Sequence, residues 1–517
     1  MQVPKGFGEG RAKYTGMRRS LPALALLVAL SAVSARAGAQ TVPCSPVPLV
    51  DDRCERWVAI YDHPGGHGTT GIDMAFDTVT DGTLVYVTGQ SWADQKDHYD
   101  FATIAYDAAT GAQRWLSRYD GPGDEHDIPQ SMVLSPDKTR LYITGWVHMN
   151  PVGEGSDYAT IALDAATGDL LWDATYEGPD EGDDAAYGVA VSPDGEWVYV
   201  TGKSGIGFEN MDFATIAYRA DSGEEAWVSR FSLLPGAGED AGISPVVSPD
   251  GKTVYVTGAA GTTWATLAYR AGEAVEGEPE PGTLLWSATD QKGYAYWIAL
   301  SPDGDTVYAT GSKHFTTGGG LLLPNWDYAT VAYDAATGTR RWEATYAAPN
   351  PGLDVPFAHA LSPSGDRIYL TGSSRGTGHE LNTDLVTVAF DTADGHLVWS
   401  HRDDNPALAF EGGGDVVVSP DGSRVYAGGW SAAGFGAPGL GVVRAYTEAG
   451  TVAWSARYNG VHTADENVFI DAVAIAPDGG TVYATGRAQY GSDPSDPANQ
   501  QPGTNSVDIV TLAYATA

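Results

Sequence analysis

The chain has 517 residues and a formal net charge of −37, from 29 Lys and Arg against 66 Asp and Glu. Residues 1–39 carry six Lys/Arg and one Glu, so the remainder carries about −42. That balance excludes nucleic acid and anionic membranes as partners, since both demand basic patches. It suits solubility, cations or basic partners.

The chain opens on a basic start at Arg18 and Arg19, an apolar run from Leu21 to Val33 and a small-residue exit at Ala37, Gly38 and Ala39. This reads as a secretory signal peptide over residues 1–39, cleaved before Gln40, with Met17 as an alternative start. No later apolar run is long enough to span a bilayer. The expected destination is export: extracellular, periplasmic or cell surface. Residues 40–55 form an N-terminal arm holding Cys44 and Cys54, the only cysteines. In an oxidising compartment these are expected to pair as a disulfide.

From Arg56 onward the sequence repeats. Trp57, Trp115, Trp172, Trp227, Trp286, Trp342, Trp399 and Trp454 recur every 55–59 residues, interleaved with Tyr86, Tyr142, Tyr199, Tyr255, Tyr308, Tyr369, Tyr426 and Tyr483. A fixed period marks a repeat architecture. The third unit, Tyr187 to Phe231, holds four β-patterned runs, VAVS, VYVT, ATIAY and AWVSRF. Alternating β-branched and aromatic residues bounded by Gly, Pro and Asp are strand signals. SPDG between the first two runs and AATG or ADSG before the tryptophan suit tight turns. Four antiparallel strands per unit describe a propeller blade. The tryptophan is the expected wedge between blades, contributing about 4–6 kcal/mol as an upper bound.

The unit starting at Ile470 has three strands and no tryptophan strand, whereas Arg56-WVAIYD is a tryptophan strand without a unit. The prediction is an all-β chain, a single eight-bladed propeller of four-stranded antiparallel blades over 56–517. The N-terminal strand closes the last blade, leaving no open sheet edge.

Short uniform turns fall on one face of such a ring, and long variable connections on the other. Variable loops on a rigid scaffold are where function sits. Gly272–Gly282 departs from this as a long acidic insert on the short-turn side, expected to be flexible. His63, His67, His98, His126, His148, His314, His379 and His462 fall on the long-loop face. So do acidic runs that include Asp124, Asp127, Asp183 and Asp184. Oxygen-rich loops at a ring mouth can hold Ca²⁺, and His63-x-x-x-His67 has ligand-like spacing. Asp124, Asp127, Asp183, Asp184, His63 and His67 are therefore the metal candidates, weighed against a solvated acidic rim. Asp100, Asp157, Asp212, Asp327, Asp384 and Asp508 open six of the third strands, with a threonine three residues on in each. Recurrence in blade after blade points to structural hydrogen bonds. No nucleophile elbow, P-loop, dinucleotide fingerprint or HExxH stands out.

Ala105, Asp107, Thr110, Gly111 and Trp115 resemble the tryptophan-docking motif of quinoprotein alcohol dehydrogenases. The motif recurs at Ala162, Asp164, Thr167, Gly168 and Trp172, and at Ala332, Asp334, Thr337, Gly338 and Trp342. The whole unit is similar to bacterial SBBP repeats, and its SPDG-xx-VYVTG half to YVTN surface-protein repeats. The resemblance implies an eight-bladed PQQ-like propeller. Its enzyme branch implies PQQ and Ca²⁺ in the channel beneath an adjacent cysteine pair, which this chain lacks. The leading expectation is a monomeric binding scaffold that takes protein or glycan ligands on its long-loop face without catalysis. A PQQ- and Ca²⁺-dependent oxidoreductase is the alternative, and a metal-dependent propeller hydrolase of the lactonase kind a weaker one.

Overall fold

The computed structural model describes residues 55–62, 72–92, 98–123, 125–148, 155–179, 182–206, 210–233, 238–289, 292–315, 325–349, 352–376, 382–403, 410–432, 438–460, 466–490 and 506–516. The leader segment, Cys44, Cys54, His63, His67, Asp124, His379 and His462 lie outside them. The described residues form 32 strands. No helix among them is long and apolar enough to cross a membrane.

The strands make eight four-stranded antiparallel blades, spanning 74–119, 127–176, 185–231, 238–288, 293–346, 355–402, 410–458 and 467–515. The last blade holds three strands of its own and gains its outermost strand, Glu55–Tyr61, from the N-terminal side. Trp57 there pairs with Ala513 and Ile60 with Val510. The first strand of every blade packs against the first strand of the next, and blade eight returns to blade one, so the ring closes. Short parallel bridges also join blade three to four at Asn210 and Gly238, and blade six to seven at Thr383 and Phe410.

Each innermost strand carries a β-bulge at the same register, between Ala75 and Asp77, Pro129 and Ser131, and so on to Ile470 and Ala472. A bulge bends a strand and increases its twist, which suits eight strands leaning around one axis. Two bulges carry aspartates that tie one blade to the next. Asp77 accepts a 2.8 Å bond from the Met132 N–H, and Asp415 a 2.8 Å bond from the Val473 N–H. Burial pushes these carboxyls up to about 7 and about 6.

The recurring tryptophans lie between blades. Trp57 sits 5.9 Å from Tyr483 of its own blade and 6.3 Å from Tyr106 of the next, and its Nε1 donates to the Ala108 carbonyl at 3.0 Å. Trp172 repeats this with Tyr142, Tyr218 and the Ala220 carbonyl. The turn glycine is required for geometric reasons. Gly168 has φ +77°, and a Cβ there would stand 2.6 Å from the Trp115 ring. The Gly272–Gly282 insert is tied down by Arg270 on Glu278 at 2.7 Å and by Arg219 of blade three on Glu273. Its Gly282 still seats Trp227, but the Trp227 Nε1 finds no acceptor. The insert has displaced the turn carbonyl that the other blades offer.

A second device lies within the blades. The threonine of the second strand meets that of the third in six blades, for example Thr88 and Thr103 at 3.1 Å and Thr144 and Thr160 at 3.0 Å. Blade five breaks the rule. Thr310 turns to His359 Nδ1 of blade six at 2.9 Å, and the buried Thr330 hydroxyl is left without a partner. His359 is half-buried, and desolvation there lowers its pKa to about 4, so it is neutral.

Candidate binding face

Innermost strands start at the long-loop face, so their first residues surround the mouth of the ring. In blades five to eight these residues and their neighbours form an aromatic arc. Tyr294 stacks on Trp326 at 5.2 Å and 14°, with His314 5.2 Å from the same indole. Trp297 stands 6.5 Å from His359. Phe357 lies 6.1 Å from Trp430, and Trp430 5.8 Å from Phe469. Arg487 covers Phe469 at 4.8 Å and pairs with Asp471 at 3.7 Å. Glycine permits the central contact, since a Cβ on Gly412 would strike the Trp430 ring at 2.4 Å.

Large apolar groups in this arc stay open to solvent. Tyr294 is 37% exposed, Trp297 38%, Phe357 39% and the adjacent Leu353 50%. A second aromatic group crosses blades one and two: Trp92 on Tyr99, Tyr99 stacked on His126 at 5.1 Å, and Trp146 on His148. His148 Nδ1 meets the His126 carbonyl at 2.9 Å.

The acidic residues behave differently from a solvated rim. Asp73, Asp127, Asp184, Asp240 and Asp354 precede or begin the innermost strands of five blades, and all are buried. They hold the loops that precede them. Gly178 N–H donates to Asp184 at 2.7 Å, Leu233 N–H to Asp240 at 3.0 Å, Ala348 N–H to Asp354 at 2.7 Å, and Gly121 N–H to Asp127. Burial, then the charges of Asp120 and Asp100, pushes Asp127 up to about 8. Two of the metal candidates, Asp127 and Asp184, thus turn inward as loop clamps, while Asp183 remains half-buried.

Three sets of carboxylates and histidines bring ligand atoms within 4.8 Å of one another: His98, Asp100 and Asp120; Asp391, Asp394 and His396; and Asp62, Asp73 and Asp508. The first already holds a cation, because Arg118 pairs with Asp100 at 2.9 Å. The second lies on an exposed short turn, with Asp391 paired to Arg367 at 2.6 Å.

PQQ is a planar tricarboxylate and calls for several cations. Among the described residues, Arg487 on the arc is already on Asp471, and Lys313, beside His314, is on Glu343. Asp77 and Asp415, two carboxylates of the inner strands, are committed to backbone N–H groups. These residues do not fit that cofactor.

Comparison with known structures gives the same fold. The quinohemoprotein alcohol dehydrogenase from Comamonas testosteroni superposes with a TM-score of 0.52 at 13% identity, over 89% of this chain and 76% of that one. The quinohemoprotein alcohol dehydrogenase ADHIIG from Pseudomonas putida superposes with a TM-score of 0.50 at 14% identity, over 91% and 78%. No curated protein sequence matches the chain. The family model described as outer membrane protein assembly factor BamB matches residues 211–384 and 271–490, together more than half of the 517. On that match, and on the closed ring of docked blades, the chain belongs to this family of PQQ-like β-propellers.

Proposed function

We propose that the protein is an exported binding scaffold whose long-loop face, centred on the aromatic arc, takes up a segment of another protein. The observation that carries this reading is the cluster of exposed apolar groups, Tyr294, Trp297, Leu353 and Phe357, beside inner strands of an otherwise acidic surface. Aromatic side chains lose little conformational entropy on binding and are the usual anchors of protein contacts. The guanidinium of Arg487 and the carboxylates behind it add a polar edge that orients a ligand. The name of the matching family, an assembly factor for outer membrane proteins, supports a protein partner. The leader-like segment at residues 1–39 supports export.

The test uses fluorescence anisotropy with a panel of extended peptides rich in aromatic and aliphatic side chains, beside a panel of neutral oligosaccharides. Peptides are expected to bind. The double variant Trp297→Ser/Phe357→Ser is expected to weaken that binding tenfold or more (about 1.4 kcal/mol or above), with its melting temperature unchanged. Equal binding by the double variant would contradict the reading, and so would binding confined to oligosaccharides.

A further inference from the structure

Three blades hold their third-strand aspartate with an arginine from the outermost strand of the same blade. Arg118 donates to Asp100 at 2.9 Å in blade one, Arg230 to Asp212 at 3.1 Å in blade three and Arg402 to Asp384 at 2.6 Å in blade six. Blade one differs in what surrounds this pair. His98 stands two residues before Asp100, where blades three, five and six place Asn210, Asn325 and Asn382. Asp120 follows the outermost strand, where blades three and five place Ser232 and Ala347.

The three side chains of blade one converge. One ligand atom from each of His98, Asp100 and Asp120 lies within 4.8 Å of the other two. His98 is 2% exposed and Asp100 7%, while Asp120 is exposed and opens the group to water. The cation that already sits there, Arg118, takes only Oδ2 of Asp100, from its Nε and one terminal nitrogen. Asp100 Oδ1 is buried and accepts no hydrogen bond among the described residues, and it lies 3.5 Å from His98 Nε2. That separation is long for an N–H···O bond. It is close to the edge of about 3.4 Å that a tetrahedral zinc ion sets between a nitrogen and an oxygen ligand.

We propose that the long-loop end of blade one binds a divalent transition-metal cation of the zinc type, with the His98 imidazole, Asp100 Oδ1 and the Asp120 carboxylate as ligands and water completing the shell. An imidazole favours zinc over calcium and magnesium, which take oxygen donors. Arg118 on Oδ2 holds the ligating carboxylate from behind, as hydrogen-bonded outer groups do in metal sites. The rival arrangement protonates His98 and pairs it directly with Asp100, much as the Asn325 amide reaches Asp327 at 3.5 Å in blade five.

The full chain, stripped with a chelator and titrated with zinc, tests this by native mass spectrometry and thermal unfolding. Two variants serve. His98→Asn installs the residue of blades three, five and six, and Asp120→Asn leaves the pair of Arg118 and Asp100 in place. The wild type is expected to hold one zinc more than either variant. Zinc is expected to raise the wild-type melting temperature by about 2 °C or more and to raise that of each variant less. Equal zinc counts in the wild type and His98→Asn would overturn the proposal. So would a wild type that takes no zinc while its His98 resonances report an imidazolium, the signature of the direct ion pair. If Asp120→Asn fails to fold, the His98→Asn count decides alone.

Discussion

The two faces of the ring are built under different rules. On the short-turn face one solution repeats: an indole under a turn glycine, its Nε1 on a carbonyl of the next blade, as at Trp57 and Ala108 or Trp286 and Ala335. On the long-loop face the solution varies: an arginine on the third-strand aspartate at blades one, three and six, a lysine beside it at blade five, and a threonine in the arginine's place at blade two. The difference teaches where selection for closure ends. Every blade must dock to close the ring, so docking repeats, with the one missing indole bond at Trp227, whereas the opposite face is free to diverge around the scaffold.

Several measurements would break or sharpen that contrast. The largest effect belongs to the docking face. Trp172→Ala empties a buried interblade site and is expected to destabilise by about 3–5 kcal/mol, read by chemical denaturation with an unchanged slope. A smaller loss is expected inside a blade, where Thr144→Val strands the Thr160 hydroxyl and removes about 1–2 kcal/mol. A pH effect comes next. Folding lowers the pKa of His359 from 6.5 to about 4, so between those values the unfolded chain takes up a proton that the native state refuses. Its contribution is full above 6.5 and is lost as pH falls toward 4. Melting curves of His359→Gln against wild type should therefore converge over that window. The smallest stability effect is expected on the long-loop face, where Trp297→Ser/Phe357→Ser stays within about 0.5 kcal/mol of wild type while binding is lost. A large destabilisation by that pair would make the arc part of the core and erase the contrast.

Much of the scaffold was legible in the sequence. Trp57 without a unit and a final unit without a tryptophan implied the closing strand, and the pairing of Trp57 with Ala513 is that closure. The candidate face was less legible, because the charge pattern points to the loop acids. Asp127 and Asp184 are clamps, and their role depends on which way a carboxylate turns at a strand end, which no local pattern encodes. A usable signal lay elsewhere. Seven tryptophans fall off the beat: Trp92, Trp146, Trp197, Trp264, Trp297, Trp326 and Trp430. Trp92, Trp146, Trp264, Trp326 and Trp430 sit toward the long-loop ends of their strands, and Trp297 in the middle of an inner strand. Trp92, Trp146, Trp297, Trp326 and Trp430 keep part of their surface open and mark the face, whereas Trp197 and Trp264 are buried in the core. The third-strand aspartates show the limit of arguing from recurrence. Asp100, Asp212 and Asp384 meet arginines, yet Asp157, identical by position, meets none. The deciding residue, Arg or Thr, lies on another strand and only register brings it near.

Site-specific photocrosslinking tests the division of the two faces most directly. A photoreactive phenylalanine analogue is placed at Phe357 in the arc and, in a separate protein, at Ala393 on a short turn, each expressed and exported by its own host. The expected result is discrete protein adducts from position 357 and none from position 393, with the position 357 adducts abolished by Trp297→Ser. Adducts from position 393 alone, or equal patterns from both positions, would contradict the assignment of binding to the long-loop face.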